Sequence, residues 1–319
     1  METLLKSLKA VAESTRIRIL AILAEGECNV TELTAILSQS QPRVSRHLKL
    51  LVDADLVERH KEGNWVLFRL TRQAGLVVDI LKHVPQDDPL IARDREKLNM
   101  IKTRRSEAAE KYFSKVAASW SVLRSLNVDD RAVEVALKKM IGPASVDTLV
   151  DLGTGTGRML ELFAPQARQA IGVDRNREML AFARVAIEKH GLTNTQVRLA
   201  DVNDVPLKER SADLVIIHQV LHYLDNPLDT IREAHRLLRP GGRLVVVDLA
   251  PHDREFLREE HAHRRLGIAT DTMRRWMESA GLSLVRRESL KPAAQDGLDV
   301  DVWMAERPRD AVLKEVRHG

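Results

Sequence analysis

"VDLGTGTGRML", residues 150–160, runs an apolar strand into three alternate glycines and then into the start of a helix. Gly153, Gly155 and Gly157 allow the backbone to turn tightly and to approach a bound molecule closely as that helix opens. The spacing is not the G-x-G-x-x-G of dinucleotide sites, whose third glycine would fall on Arg158. A glycine-rich turn can also serve packing alone. Two carboxylates give this one a direction. Asp174 ends the next strand, where it can accept hydrogen bonds from both hydroxyls of a ribose. Asp201 ends the third, in "LADVND", where it can accept one from the exocyclic amine of adenine. Either aspartate alone reads as a turn residue or helix cap; their order along the chain is the stronger signal.

Working outward, "DTLVDL", "RQAIGVD", "TQVRLAD", "ADLVIIHQV" and "RLVVVDLA" alternate with helical stretches such as "REMLAFARVAIEKHG" and "PLDTIREAHRLLRPGG". That alternation predicts a parallel α/β sheet. After "TDTMRRWMESAG" two strands follow in succession, "LSLVRRESL" and "LDVDVWMAE", so the sheet should end in an antiparallel hairpin. Together with "LLRPGGRLVVVD", these features make residues 146–306 resemble the class I S-adenosylmethionine-dependent methyltransferases, close to the ubiquinone-biosynthesis type. The resemblance implies a Rossmann-like sheet that takes S-adenosylmethionine or S-adenosylhomocysteine. It sets Asp151, Gly153, Gly155 and Gly157 beside the methionine part, Asp174 at the ribose, Asp201 and Val202 at the adenine, and His218 beside the sulfonium. NAD is the lesser alternative, and the glycine spacing argues against it.

Residues 1–85 follow another pattern. "ESTRIRILAILAEGE" and "TELTAIL" read as short helices, and "SQPRVSRHLKLLVDA" opens a third, with Ser40 as candidate N-cap and Pro42 in the first turn. Val44, Leu48 and Leu51 fall on one face of it. Gln41, Arg43, Ser45, Arg46 and Lys49 fall away from that face, a set suited to base edges and phosphates. The period then drops to two in "VERHK" and "WVLFRL", a hairpin turning at Glu62, Gly63 and Asn64, which adds Arg59, His60 and Lys61. "AGLVVDILKHV" closes the unit as an apolar helix. "AESTRIRIL", "SRHLKLL" and "DLVERHKEGNWVLFRL" resemble the ArsR (SmtB) repressors over residues 5–83, with Asp55 where that family usually has glycine. The resemblance implies an α+β winged helix-turn-helix, a double-stranded operator, and a homodimer joined through the unit's first and last helices.

Metal sensors of that family carry two cysteines at positions that align here with Asn29 and Thr31, in "ECNVTEL". The only cysteine, Cys28, falls where the family has an apolar residue, and the last helix offers only His83. One sulfur cannot build a thiolate metal site, so Cys28 is expected to pack in the core and no metal is expected. A single cysteine also points to a reducing compartment. With no apolar run long enough to span a membrane and no signal peptide, a cytoplasmic protein is expected.

Residues 86–140, from the polar joint "VPQDDP" through a charged helical stretch, read as a connector to a second domain at 141–319. The surplus of 50 Lys and Arg over 46 Asp and Glu lies wholly in the first 120 residues, a bias too small to name a partner by itself. His218, His222 and His252 are candidate bases for methyl transfer, with Tyr223 as an acceptor-binding group and His261 and His263 further along. Two functions follow. In one, a repressor of methionine-cycle genes uses its methyltransferase-like domain to sense S-adenosylmethionine or S-adenosylhomocysteine. In the other, an active small-molecule methyltransferase is fused to an autoregulatory DNA reader. No Asn/Asp-Pro-Pro-Tyr motif marks nucleobase methylation, and the shortage of cysteine argues against arsenic as acceptor.

Overall fold

The computed structural model describes residues 1–319 apart from 63–64, 72–74, 86, 106, 108–129, 262, 293–296 and 310–319. It divides the chain into two units, Met1–Glu110 and Lys111–Gly319. The turn residues Gly63 and Asn64 and most of the second half of the expected connector therefore lie outside the described residues.

In the first unit, α1 (Glu2–Val11) and α2 (Ser14–Ala24) precede a two-residue strand, β1 (Cys28–Asn29). Then come α3 (Val30–Leu37), α4 (Gln41–Asp53), the hairpin of β2 (Val57–Glu62) and β3 (Trp65–Leu70), α5 (Gly75–Leu81) and α6 (residues 89–105). Helix α3 begins with a reciprocal cap, Asn29 and Glu32 each bonding the other's backbone N–H. Ser40 holds the N-cap position of α4 without a side-chain hydrogen bond; Pro42 sits in the first turn. Val44, Leu48 and Leu51 are almost wholly buried, each contributing about 1.5–3 kcal/mol by leaving water. Strand β1 joins the hairpin edge through Cys28 opposite Phe68, giving the order β1-β3-β2. Asp55 adopts φ 58°, the left-handed conformation that makes glycine the easier residue there.

The charge on α6 is used within its own unit. Arg18 of α2 makes two bonds to Asp94, at 2.6 and 2.7 Å. Arg105 pairs with Glu32 at 2.7 Å, and Lys97 donates to the carbonyls of Ala35 and Ile36 at the C-terminal end of α3. Leu98 joins the unit's core.

The second unit runs α7 (Asp130–Ile141), β4 (Val146–Leu152), α8 (Arg158–Phe163), β5 (Ala167–Asp174), α9 (Arg177–Lys189), β6 (Thr195–Leu199), β7 (Ala212–His218), α10 (Pro227–Leu237), β8 (Leu238–Leu249), α11 (Phe256–Glu260), α12 (Thr270–Ser279), β9 (Ser283–Leu290) and β10 (Val300–Glu306). Its seven strands are ordered β6-β5-β4-β7-β8-β10-β9, with β10 antiparallel to both neighbours. Leu214 and Ile216 belong to one apolar layer, Val215 and Ile217 to the other. Both faces of the sheet are thus covered, which is why these strands read as unbroken apolar runs. Chain order reverses at β4, flanked by β5 on one side and β7 on the other. The carboxyl ends of strands at such a reversal form a crevice.

Candidate functional site

A cavity of about 540 Å³ opens at that crevice. The ends of four strands reach it, through Asp151 of β4 and Gly153 just after it, Asp174 at the end of β5, His218 of β7 and Leu249 of β8. The glycine turn is pinned to β5, because the N–H groups of Gly153 and Thr154 both donate to the carbonyl of Val173 at 2.8 and 2.9 Å. Asp174 returns the link. Its Oδ2 accepts from Gly155 N–H at 2.9 Å and its Oδ1 from Asn176 N–H at 2.8 Å. Asn176 in turn caps α9.

The three glycines do different work. At Gly155, φ is 52° and a Cβ would meet nothing within 4 Å, so a side chain there would enter the cavity. At Gly153, a Cβ would come within 2.3 Å of the Val220 side chain. Gly157 does not line the cavity; its missing Cβ lets α8 close on Ala183 of α9. Spacing alone does not separate a glycine that faces a ligand from one that faces a helix.

Asp151 is 1% exposed, and neither oxygen has a well-aligned hydrogen-bond partner among the described residues. Burial pushes its pKa up to about 7, with the Asp174 charge adding to the rise and the neighbouring Thr154 hydroxyl opposing it. His218 also lines the cavity, and burial holds its imidazole below the ordinary value. Next to it Gln219 has φ 58°, a strained conformation for a residue with a side chain. Tyr223, His222 and His263 line the same cavity. Val202 lines it as well, but its neighbour Asp201 is exposed and accepts the backbone N–H of Asn203. Strand β6 ends at Leu199, so Asp201 lies in a turn beyond it. His252 is also outside the lining; its Nδ1 accepts from Arg254 N–H at 3.2 Å.

The sequence reading did not single out Thr154, Asn176, Gln219 or Asp248. Asp248, 0% exposed, bonds His222 Nδ1 at 2.7 Å. A charged residue inside the apolar run "RLVVVDLA" is the signal that could have marked it.

In the first unit, α4 buries its apolar face and leaves Gln41, Arg43, Ser45, Arg46 and Lys49 exposed. On β2, Arg59 and Lys61 are exposed while His60 between them is half-buried. Cys28 is fully buried in the core, outside any disulfide. No cluster of three or more metal-ligating side chains occurs among the described residues, and no described helix is long and apolar enough to cross a membrane.

Residues 13–59 match the family model of bacterial regulatory proteins of the arsR family, and residues 150–246 match that of a methyltransferase domain. The chain joins an arsR-type helix-turn-helix to a methyltransferase domain. The methyltransferase match agrees with the S-adenosylmethionine cofactor expected from the sequence. A malonyl-[acyl-carrier protein] O-methyltransferase of Marinomonas sp. is 28% identical over 192 residues, 56% of this chain and 66% of that protein. An arsenite methyltransferase of Halobacterium salinarum is 26% identical over 179 residues, 53% of this chain and 45% of that protein. The chain thus spans less than two thirds of these relatives. A solved complex of the Haloferax volcanii Trm112 methyltransferase activator with its assigned methyltransferase contains a chain of the same fold as the methyltransferase domain. That chain is 21% identical at a TM-score of 0.50, covering 62% of this chain and 96% of its own.

Proposed function

We propose that this chain is a homodimeric transcriptional repressor whose methyltransferase domain binds S-adenosylmethionine and S-adenosylhomocysteine and transmits their binding to the DNA-reading domain. The observation that carries the cofactor reading is the cradle at the crevice, where Asp174 and the Gly155 turn hold each other and a Cβ-free gap faces the cavity. Its residues fit an S-adenosyl ligand. The spare lone pairs of Asp174 suit the ribose hydroxyls, Val202 the adenine, and the buried carboxyl of Asp151 a molecule that carries positive charge. When bound, the cofactor supplies a methyl group activated on a cationic sulfur. Gln41, Arg43, Ser45 and Arg46 would read base edges, with Lys49, Arg59 and Lys61 on phosphates. Methionine-cycle genes are the natural targets of such a sensor, in the reducing interior of the cell.

A second reading, methyl transfer to a small molecule, is favoured by one observation, the His222 ring held by Asp248 inside the cavity. Arsenite is not the acceptor this supports, because the lone Cys28 lies buried in the other unit. The two readings coexist, since transfer would exchange one bound ligand for the other.

The test is a mobility shift of the full chain on the DNA upstream of its own gene, alone and with each ligand. A coupling of 1–3 kcal/mol would appear as roughly a 5–150-fold change in DNA affinity. Equal DNA affinity with and without both ligands would remove the sensing role.

A further inference from the structure

Three rings meet on one side of the cavity. The centroid of His222 lies 4.0 Å from Tyr223 and 4.3 Å from His263, and those two are 5.1 Å apart. His222 and Asp248 are both almost wholly out of water. Asp248 is itself fixed, Oδ2 accepting from Leu221 N–H at 2.9 Å and Oδ1 from Leu249 N–H at 2.8 Å. A carboxylate anchored in this way keeps the imidazole proton on Nδ1 and leaves Nε2 as the ring's acceptor.

His263 is 3% exposed, and neither ring nitrogen has a hydrogen-bond partner among the described residues. An unmet buried polar group is costly, a cost that a bound molecule with a hydrogen-bonding group would relieve. Burial, followed by the neighbouring His222, pushes its pKa down to about 4, so the ring is neutral at ordinary pH. Leu249, Leu257 and Leu298 complete this part of the wall. Among the described residues no lysine lines the cavity, and its cationic side chains are Arg158 and Arg175. Arg158 pairs with Glu134 and Glu161, and Arg175 follows Asp174 in the chain.

These features select an acceptor chemistry. Among the described residues, a carboxylate or phosphate beside the three rings would meet neutral imidazole and phenol groups and no lysine. A thiolate-seeking metalloid would find no sulfur ligand from the chain's one cysteine. A phenol, with a pKa of about 10, yields its proton to imidazole more readily than an aliphatic alcohol does, and its ring suits the apolar and aromatic side chains of this wall. We propose that this part of the cavity is an acceptor subsite for a small, largely apolar molecule with an ionisable hydroxyl, a phenol or enol. His222 is its general base, Asp248 positions that base, and His263 hydrogen-bonds the acceptor. In the step, the hydroxyl proton passes to His222 Nε2 and the oxygen lone pair forms the new O–CH3 bond. The methyl C–S bond breaks with both electrons going to the cationic sulfur, and the imidazolium later loses its proton to water.

The proposal rests on the S-adenosylmethionine reading of the same cavity, and the test separates the two. S-adenosylhomocysteine binding to the full chain is measured by calorimetry. Binding of 4-nitrophenol is followed with and without that ligand, by the yellow phenolate band at a pH below the probe's own pKa. The wild type should bind the phenol and raise its phenolate band. His222→Gln, which keeps the ring's volume approximately, should lower that band at least about tenfold and leave S-adenosylhomocysteine affinity intact. It should lower kcat for transfer to the phenol by roughly 10²–10⁴-fold, the usual worth of a general base, with little change in KM. His263→Phe should instead raise KM. An undiminished phenolate band in His222→Gln, or no phenol binding by the wild type, overturns the subsite. Loss of S-adenosylhomocysteine binding by the wild type overturns the cofactor reading instead, and the phenol arm remains readable.

Discussion

Asp151 loses nearly all contact with water, and its carboxyl moves from 3.8 to about 7. The sign follows from linkage. Between those values the unfolded chain has released this proton while the folded chain retains it. Stability from this group therefore falls as pH rises to about 7 and is level above. A cation beside Asp151 favours the ionised form, so binding S-adenosylmethionine should expel a proton near neutral pH. Affinity should rise as pH climbs towards about 7 and level above it, and calorimetry in buffers of different ionisation enthalpy would show the release. Asp151→Asn should abolish it; a release that persisted would place the ligand's charge elsewhere. Asp55 offers a second test. Its φ of 58° is strained for a residue with a Cβ, so Asp55→Gly should hold or raise stability, by up to ~1 kcal/mol in urea unfolding. Legibility at this scale was uneven for a physical reason. Gly155 and Asp174 were readable because a tight turn beside a strand end restricts residue type. The placements of Asp201, exposed in a turn past its strand, and His252, outside the cavity lining, were not, since residue type alone does not say how far past a strand end the chain has turned.

Helix α6 shows what charge in a sequence does not reveal. Residues 89–105 read as part of a connector because they are polar, yet their charges are matched to α2 and α3 of the same unit. Such pairing depends on residues 76 positions apart, as between Arg18 and Asp94, and no local period reports it. The wing and α4, by contrast, were legible from their periods of 2 and 3.6. The insertion of β10 between β8 and β9 is a pairing choice that two consecutive strands alone do not fix. Because Asp94 is 3% exposed, Arg18→Ala leaves a buried charge alone and should cost about 3–5 kcal/mol. Arg18→Met with Asp94→Leu should recover most of that loss. If urea unfolding gives the single and double variants equal stability, the pair is not what holds α6.

At the scale of the whole molecule, the two activities should be separable by mutation. Arg46→Ala should weaken operator binding strongly and leave S-adenosylmethionine binding intact. Gly155→Asp should do the reverse, because its side chain would enter the cavity and repel the ligand's carboxylate. The tests are a mobility shift and calorimetry on each variant; DNA affinity unchanged in Arg46→Ala would dismiss α4 as the reader. The proposed coupling must also be reciprocal. Whatever factor the ligand imposes on DNA affinity, operator DNA must impose on ligand affinity.

The fully buried thiol of Cys28 has a practical consequence for watching that coupling. Maleimides and spin labels react with thiols they can reach, so the native chain presents almost no background. A cysteine placed at Lys49 and another at Lys189 would each take a probe without first stripping the protein of its own sulfur. Distances between those probes, recorded with and without ligand, would follow the signal as motion in the unaltered fold.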